Sequence, residues 1–474
     1  MSRIWSMMGI GRRSMMNSQT ALQTVSNNIA NKSTKGYSRQ RVDLQTNEPT
    51  GSGRLRIGNG ARVTNVTRIN NPYLEKQIQK ESVEMGKSET GAQAMGRVEE
   101  VFNEQNNKGL NKYMSEFFNA FRSLSNSPES LAARTLVKES SQFLAKDFKR
   151  VNSQLKGIQG DMDFQIATHV TQINDITREI AGLNEKIQVV ELNGITANDE
   201  RDRRDELLKQ LGGLINIKYA EGKEGGVTIT AGSTAVLVSG LSSRELFVAA
   251  TKGKPGKSEG NVEIFYKPTK EGTPVNITQQ IKGGKLGGLL VTRDKTINDI
   301  LDNVDEMAYT LAKQVNNIHA HGVDRYNRKG KKIFEVGSEQ GAAGRIKVNQ
   351  DIMDDVSKIA AGAKINAPGD NRIANLIGEL QYRNVMGGGE NTMDQYYSSI
   401  VGKVGVNAGR ATSELASQKD LVSQLKNIRE SISGVSLDEE TSKLIEFQKG
   451  FDASARLIKA SDEMMDTVLN LKRL

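Results

Sequence analysis

Three histidines, no cysteine and a few acidic clusters are the material this chain offers for side-chain chemistry. Without Cys there are no disulfides, thiolate metal sites, iron–sulfur clusters or sulfur nucleophile. His319 and His321 stand one residue apart at a helix end, with no third ligand nearby at helical spacing. They read as surface side chains rather than a metal site. His169 falls on a helical stripe and reads as a partly buried helix residue. The run 198–206 alternates in sign, so each acid has a base within one turn. That pattern predicts a solvated helix start, not a carboxylate pair for acid–base work.

Two tracts imitate nucleotide sites. Residues 253–258 end like a phosphate-binding loop, but Thr251 stands where the first glycine belongs and Pro255 interrupts the turn. Gly9-Ile10-Gly11 lies in a helical pattern and lacks the third glycine of a dinucleotide fingerprint. Ser and His form no triad-like constellation. The residues predict a protein with no catalytic, cofactor-binding or metal-binding side chains, and so not an enzyme.

The elements around these residues are mostly helical. The chain has 474 residues, 36% hydrophobic and 26% charged, which suits two to four folded domains. No apolar run is long enough to span a membrane as a helix, and the first residues do not read as a secretory signal because Arg12-Arg13 interrupts them. Residues 1–70 hold 11 Lys/Arg against 2 Asp/Glu, which accounts for the whole net charge of +9. A basic nucleic-acid-binding arm is one reading of that segment; a partner-facing basic segment is the other.

Both chain ends carry heptad stripes. Ile4, Met8, Gly11, Met15, Ser18, Leu22, Val25 and Ile29 step by alternating fours and threes. At the other end, Leu437, Thr441, Leu444, Gln448, Phe451, Ala455, Ile458, Asp462, Met465 and Leu469 do the same, behind a capping box that opens at Ser436. Gly11, Ser18, Thr441, Gln448 and Asp462 weaken both seams, which predicts ends that are marginal alone and zip together. Inside lie helical stretches over 73–104, 110–125 and 128–158, and a strong repeat over 161–192 (Ile166, His169, Ile173, Ile176, Ile180, Leu183, Ile187, Val190). A related repeat covers 297–320. Residues 38–70 read as extended. Residues 212–292 change to a period of two, with Ile215, Ile217, Tyr219, then Val227, Ile229, then Val236, Val238, among 15 glycines. The expected fold is mainly α with an inserted small antiparallel β module. Terminal coiled-coil segments (1–45 and 436–474) flank a helical middle (46–211 and 293–435, mixed at 322–375) that the module 212–292 interrupts.

Asn27, Asn28, Ala30 and Asn31, followed by Thr34, Gly36, Tyr37, Ser38, Arg39 and Gln40, resemble the N-terminal signature of flagellar rod, hook and hook-associated proteins. Leu437-Asp438-Glu439-Glu440 with Leu444, Phe447-Gln448 and Ala453–Arg456 resembles the matching C-terminal signature. Three inner tracts narrow the resemblance to the hook-associated family of the hook–filament junction: Arg203–Leu208, Gly284–Leu290 with Arg293-Asp294, and 368–371. The resemblance implies a structural subunit exported without a cleaved signal and assembled outside the cell as a ring. It implies contacts with copies of itself, with hook protein and with a second junction protein, and none with nucleic acid or membrane. The terminal stripes Ile4, Met8, Met15, Leu22, Val25, Ile29 and Leu437, Leu444, Phe451, Ile458, Met465, Leu469 would form the assembly interface. An export chaperone would take Leu444, Phe451, Ile458, Met465 and Leu469. A different axial component, hook or distal rod, and a basic coiled-coil nucleic-acid-binding protein are the alternative readings.

Overall fold

The computed structural model describes residues 2–49, 56–103, 109–192, 194–222, 224–252, 259–269 and 272–471. The fold is mainly α, with small antiparallel sheets. Helix α1 (Ser2–Ala30) leads into a hairpin of β1 (Gln40–Thr46) and β2 (Ala61–Arg68), in which a bulge shifts the register between Asp43 and Leu44. At the far end of the chain, α12 (Leu437–Leu471) packs antiparallel on α1. Ser14 meets Ser454 at 2.7 Å, and Asn28 meets Glu440 at 2.9 Å.

The seam of this pair is not the large apolar stripe that the heptads suggest. Gly11, Ser18, Ala21, Val25 and Asn28 are buried on α1, and Glu440, Ser454 and Ser461 on α12. Small residues let the two backbones approach closely; a Cβ on Gly11 would lie 2.9 Å from Ile458 Cγ1. Ile458, half-buried, packs on Gly11; the bulkier Ile4, Met8, Met15, Leu22, Ile29, Leu444, Phe451 and Met465 are displaced to the flanks and half-buried, while Leu437 and Leu469 are 40% and 49% exposed. The Glu439 carboxylate of the sequence-level capping box pairs with Arg39 at 2.6 Å, and the helix opens with Glu440 N–H donating to the Ser436 carbonyl.

The body is built on α2 (Pro72–Phe102), α3 (Leu110–Asn126), α4 (Leu131–Glu191) and α5 (Asn198–Leu214). Two expected helices, ending near 158 and starting at 161, are one helix of 61 residues. Gly157 and Gly160 sit within it in open space. Each costs roughly 1 kcal/mol against Ala, but Leu155, Ile158, Met162 and Ile166 are buried along one face and hold the helix straight through. Its buried seam in the second half runs through Ile166, Val170, Ile173, Thr177, Ile180, Asn184 and Ile187. The alternative positions His169 and Ile176 lie on the flank, half-buried.

The β module follows. One sheet has β3 (Ile217–Glu221), β4 (Val227–Ala231), β5 (Ala235–Ser239) and β6 (Ser242–Ser243); the other has β7 (Leu246–Lys252), β8 (Glu259–Tyr266) and β9 (Val275–Asn276). A bulge at Leu237 turns both Leu237 and Val238 inward, so Val236 is only half-buried. The phosphate-loop lookalike at 253–258 and the turn residues Lys270 and Glu271 lie outside the described residues.

The chain returns through α6 (Gly284–Val291), a π-helical turn over Thr292–Ile297, and α7 (Asn298–Ala320). Short pieces follow: β10 (Phe334–Glu335), α8 (Ala342–Arg345), β11 (Lys347–Val348), α9 (Gln350–Asp354) and α10 (Arg372–Glu379). Then α11 (Met393–Ser433) runs back along α2, with Tyr397 near Phe102 and Leu425 against Leu74 and Ile78. The core is continuous from the Phe117–Phe118–Phe121–Phe334 cluster to the β module.

The glycine tract of α6 exists to let helices touch. A Cβ on Gly288 would meet Thr90 Oγ1 at 2.2 Å and the Lys87 carbonyl at 2.4 Å. Gly288→Ala therefore forces α6 off α2, and an expected loss of about 2 kcal/mol follows from overpacking. The control is Gly402→Ala in α11, where nothing lies within 4 Å and helix propensity favours the variant by about 0.5–1 kcal/mol. Denaturant midpoints that move in opposite directions check this; equal shifts would refute it.

Candidate functional site

The two chain ends meet the body at one polar hub. Helix α1 ends in the turn 31–36, closed by Thr34 Oγ1 donating to Asn31 Oδ1 at 3.1 Å and by Asn31 Nδ2 donating to Asn27 Oδ1 at 2.9 Å. Gly36 has φ +85°, and a Cβ there would press on Glu206 Cβ at 3.1 Å, so the position favours glycine on both counts. The chain then reverses, and Tyr37 turns back into the structure.

Asn28, 1% exposed, is the centre. Its Nδ2 donates to the Gln40 carbonyl and to Glu440, both at 2.9 Å. Its Oδ1 accepts from Gln40 N–H at 2.9 Å and from Tyr37 Oη at 2.8 Å. Both donors and both lone-pair sites of the amide are therefore in use, which is what a buried amide requires. Glu440, fully buried, also accepts from Arg39 Nε at 2.7 Å. Burial, and then the carboxylates of Asp199, Asp202 and Glu440, push the Tyr37 phenol well above its ordinary range, so it stays a donor.

Arg429 near the end of α11 clamps the turn from outside. Its Nη2 donates to the Gly36 and Tyr37 carbonyls at 3.0 Å each, while Glu75 and Glu430 neutralise it. Arg39 N–H donates to the Ser433 carbonyl at 2.9 Å. The end of α1, the end of α11 and the start of α12 are thereby fixed to one another.

The charged run 198–206, expected as a solvated helix start, is instead the body's half of the hub. Asp202 accepts from Ser38 N–H at 2.7 Å and from Arg68 at 2.8 Å. Arg68 also holds Asp205, Gln40 donates to Asp199, and Lys35 pairs with Glu206. Burial raises the Asp202 carboxyl, opposed by Arg68 and Ser38. On the other face, Arg204 is 1% exposed and reaches Asn184, the Gly225 carbonyl and Glu221. Asn184 in turn donates to the Val227 and Gly240 carbonyls, at 3.0 and 2.8 Å. This is why the α4 seam carries an asparagine: it anchors the β module to the long helix. Alternating charge on a helix looks the same whether its partners are water or other segments, so the local pattern carries no sign of this burial.

Four of the eleven Lys/Arg of residues 1–70, namely Lys35, Arg39, Arg41 and Arg68, pair with carboxylates within the chain. His319 is also not where its sequence placed it. It is fully buried, with Nε2 accepting from Ala360 N–H at 2.8 Å and Nδ1 donating to the Lys331 carbonyl. The helix end on which it sits is covered by the segment 322–361, a long-range contact without local signature. His321 is exposed. Among the described residues no group of three or more His, Asp or Glu is placed to hold a metal ion.

The signature residues Asn27, Asn28, Asn31, Thr34, Gly36 and Tyr37 are thus brought together with Glu440; Ala30 is exposed. Of the apolar residues of the two stripes, Val25 is buried in the seam and Ile458 packs on Gly11; the others are not brought into one interior and lie along the flanks of the α1–α12 pair, near exposed Trp5, Ile445 and Met464.

The two terminal segments that meet at the hub coincide with two matches to known families: the flagella basal body rod protein model over residues 8–37, and the flagellar basal body rod FlgEFG C-terminal model over 430–471. Between them, the helical-domain model of flagellar hook-associated protein FlgK matches residues 95–334, half of the chain. The chain belongs to the flagellar hook-associated protein FlgK family. Flagellar hook-associated protein 1 of Bacillus subtilis is 29% identical over 97% of this chain and 96% of the relative. The protein of the same name from Escherichia coli is 24% identical over 96% and 97%. The flagellar hook junction protein FlgK from Burkholderia pseudomallei shares the fold, with a TM-score of 0.69 at 16% identity over 75% of this chain and 100% of that one. As a member of the FlgK family the chain is a structural component of the bacterial flagellum and of motility. Its relatives are structural flagellar proteins rather than enzymes.

Proposed function

We propose that this FlgK-family chain forms the junction between hook and filament, assembling outside the cell from exported monomers through its terminal helices. The observation that carries this reading is the division of labour on α1 and α12. Small and polar residues, with Val25 and Ile458, hold the two helices together, which leaves most of the apolar stripe residues partly or largely exposed for other chains. Phe451 and Met465 remain half-exposed, and Leu437 and Leu469 more so. Exposed apolar surface of this kind marks interaction sites. In the proposed assembly, 1–45 and 436–474 form the inner tube, and 46–211 with 293–435 form the helical outer layer. The module 212–292 projects from that layer.

The partners in this reading are copies of the same chain in a ring, hook protein on one side and a second junction protein on the other. Before export, a chaperone groove takes Leu444, Phe451, Ile458, Met465 and Leu469 as an amphipathic helix. Nucleic acid and membrane have no part in it. No helix among the described residues is long and apolar enough to cross a membrane.

The test is complementation of a strain lacking its own copy of the gene with Phe451→Asp/Leu469→Asp. Both positions lie off the internal seam, so the purified variant keeps its far-UV spectrum and melting point. Expected are cells with hooks and no attached filaments. Wild-type motility from this variant would end the proposal.

A further inference from the structure

A groove of about 480 Å³ runs beside the α1–α12 pair, walled by α1, the β1–β2 hairpin and the start of α12. Its apolar lining is Ile10, Ala21 and Val25 on α1, Val42 and Leu44 on β1, and Phe447 on α12. Leu44 is 56% exposed, so the hairpin leaves the groove open. From Ile10 to Val25 the groove follows α1 for about 22 Å, roughly four helical turns. A groove of that length and polarity suits an amphipathic helix.

Charge selects the helix. Arg41 and Lys443 stand on the lining, and the one carboxylate there, Glu440, is buried and committed to Asn28 and Arg39. Asp43 pairs with Arg41 at 3.2 Å on the surface, a contact worth at most about 1 kcal/mol. Helix α1 adds Arg3, Arg12 and Arg13 and carries no acid. The matching occupant is apolar on one face and acidic on the other. The end of α12 has both: residues 461–471 hold Asp462, Glu463 and Asp466 with no Lys or Arg, and Met464, Val468 and Leu469 are exposed. That end also outruns its own partner helix. Ser14 faces Ser454 and Asn28 faces Glu440, a register that sets Ser2 opposite Asp466 and leaves Val468 and Leu469 past the start of α1. It cannot fill the groove of its own chain, because Asp462 lies about 22 Å along α12 from Phe447.

We propose that this groove receives the acidic end of α12 from a second copy of the chain. Val468 and Leu469 cover the apolar lining, and Asp462 and Asp466 meet Arg41 and Lys443. The contact rests on the reading of α1 and α12 as assembly helices and adds its partner and register. Groove and occupant are different surfaces, so the interface is heterologous and propagates from copy to copy as a ring or helical array instead of closing as a dimer.

The chain has no cysteine, so engineered pairs report the contact cleanly. Full-length Leu44→Cys is mixed with full-length Asn470→Cys at low ionic strength and high concentration, and oxidised with copper phenanthroline. Both positions are exposed, as is Val406 on α11, whose Cys variant is the control partner. Expected are mixed dimers at about ten times the control rate. Arg41→Glu/Lys443→Glu on the first chain should bring the rate down to the control, and Asp462→Lys/Asp466→Lys on the second should restore it. Far-UV spectra check that each variant is folded. A rate no faster than the control, a rate indifferent to the first charge reversal, or one not restored by the second would overturn the proposal. Complementation separates this contact from the reading beneath it. If the wild-type chain attaches filaments while the crosslink fails, the contact alone is wrong; if it attaches none, the junction reading is wrong.

Discussion

Asn28→Ala should cost about 3 kcal/mol and loosen the joint between the end of α1, the start of β1 and the start of α12. The amide is buried and makes four hydrogen bonds, to Gln40 twice, to Tyr37 and to Glu440. Its removal strands the Gln40 N–H and carbonyl and the Tyr37 hydroxyl, each worth about 1–3 kcal/mol if left dry. The small cavity admits water and limits the total. Glu440 keeps Arg39, so the charge pair survives while its alignment with α1 does not. The loss is local: α2, α4 and α11 do not contact Asn28 through these bonds. Hydrogen exchange should therefore accelerate in 24–40 and 437–450 and stay unchanged in 140–190. Uniform acceleration across the chain would show that the hub is not a separable joint. Asn28→Asp should be worse than Ala, because it places a second carboxylate beside Glu440 and removes the two donors.

Periodicity revealed the helices and the β module because both signals are local. The three-four repeat of 161–192 reports one face of one helix, and the alternation of Val227 and Ile229 reports one face of one strand. It failed wherever the buried residue was polar. Thr177 and Asn184 occupy the true seam of α4 beside Leu183, but the eye follows His169 and Ile176, since an isolated polar residue at an inward position looks like an outward one. The same applies to α1 and α12. Large side chains at heptad spacing drew the stripe, whereas close packing of two helices selects the small residues between them, Gly11 and Ser18.

The hub was legible as a motif but not as a contact. Asn28 and Glu440 are 412 positions apart, and nothing local to either announces the other. The resemblance at the two ends supplied the residues; only the fold supplies their meeting. Arg68, Asp202 and Arg204 show the limit from the opposite side. Their charges were plain, but whether a charged residue faces water or another segment is a property of the partner, and here the partners lie more than a hundred residues away or across a helix–sheet boundary.

Acid should destabilise the region around His319 well before carboxylates titrate. The ring is fully buried and neutral, and burial holds its pKa down to about 4 from the ordinary 6.5. The Lys331 carbonyl favours the cation, Arg134 disfavours it, and Asp324 favours it, but desolvation dominates. Above pH 6.5 both folded and unfolded chains carry the neutral ring, so there is no penalty. Between about 6.5 and 4 the unfolded chain takes up a proton that the folded one refuses, and stability falls with pH. Below about 4 both are protonated and the loss is complete, at roughly 3 kcal/mol for a shift of this size. Asp370 acts in the same direction but only below the ordinary carboxylate range, because Arg372 and three backbone N–H groups hold it ionised. The two windows are therefore separable. Local geometry makes escape from the strain difficult: a Cβ at Gly330 would meet the His319 carbonyl at 2.1 Å, and one at Gly322 would meet Ala360 at 2.6 Å, so the chain wraps the ring tightly. His319→Gln loses the ring's fit and should be less stable at pH 7.5, by about 1–2 kcal/mol. Its stability should then fall much less than wild type's between pH 7 and 4.5, so that the two curves converge. Parallel curves across that window would show that the buried ring does not set the acid response.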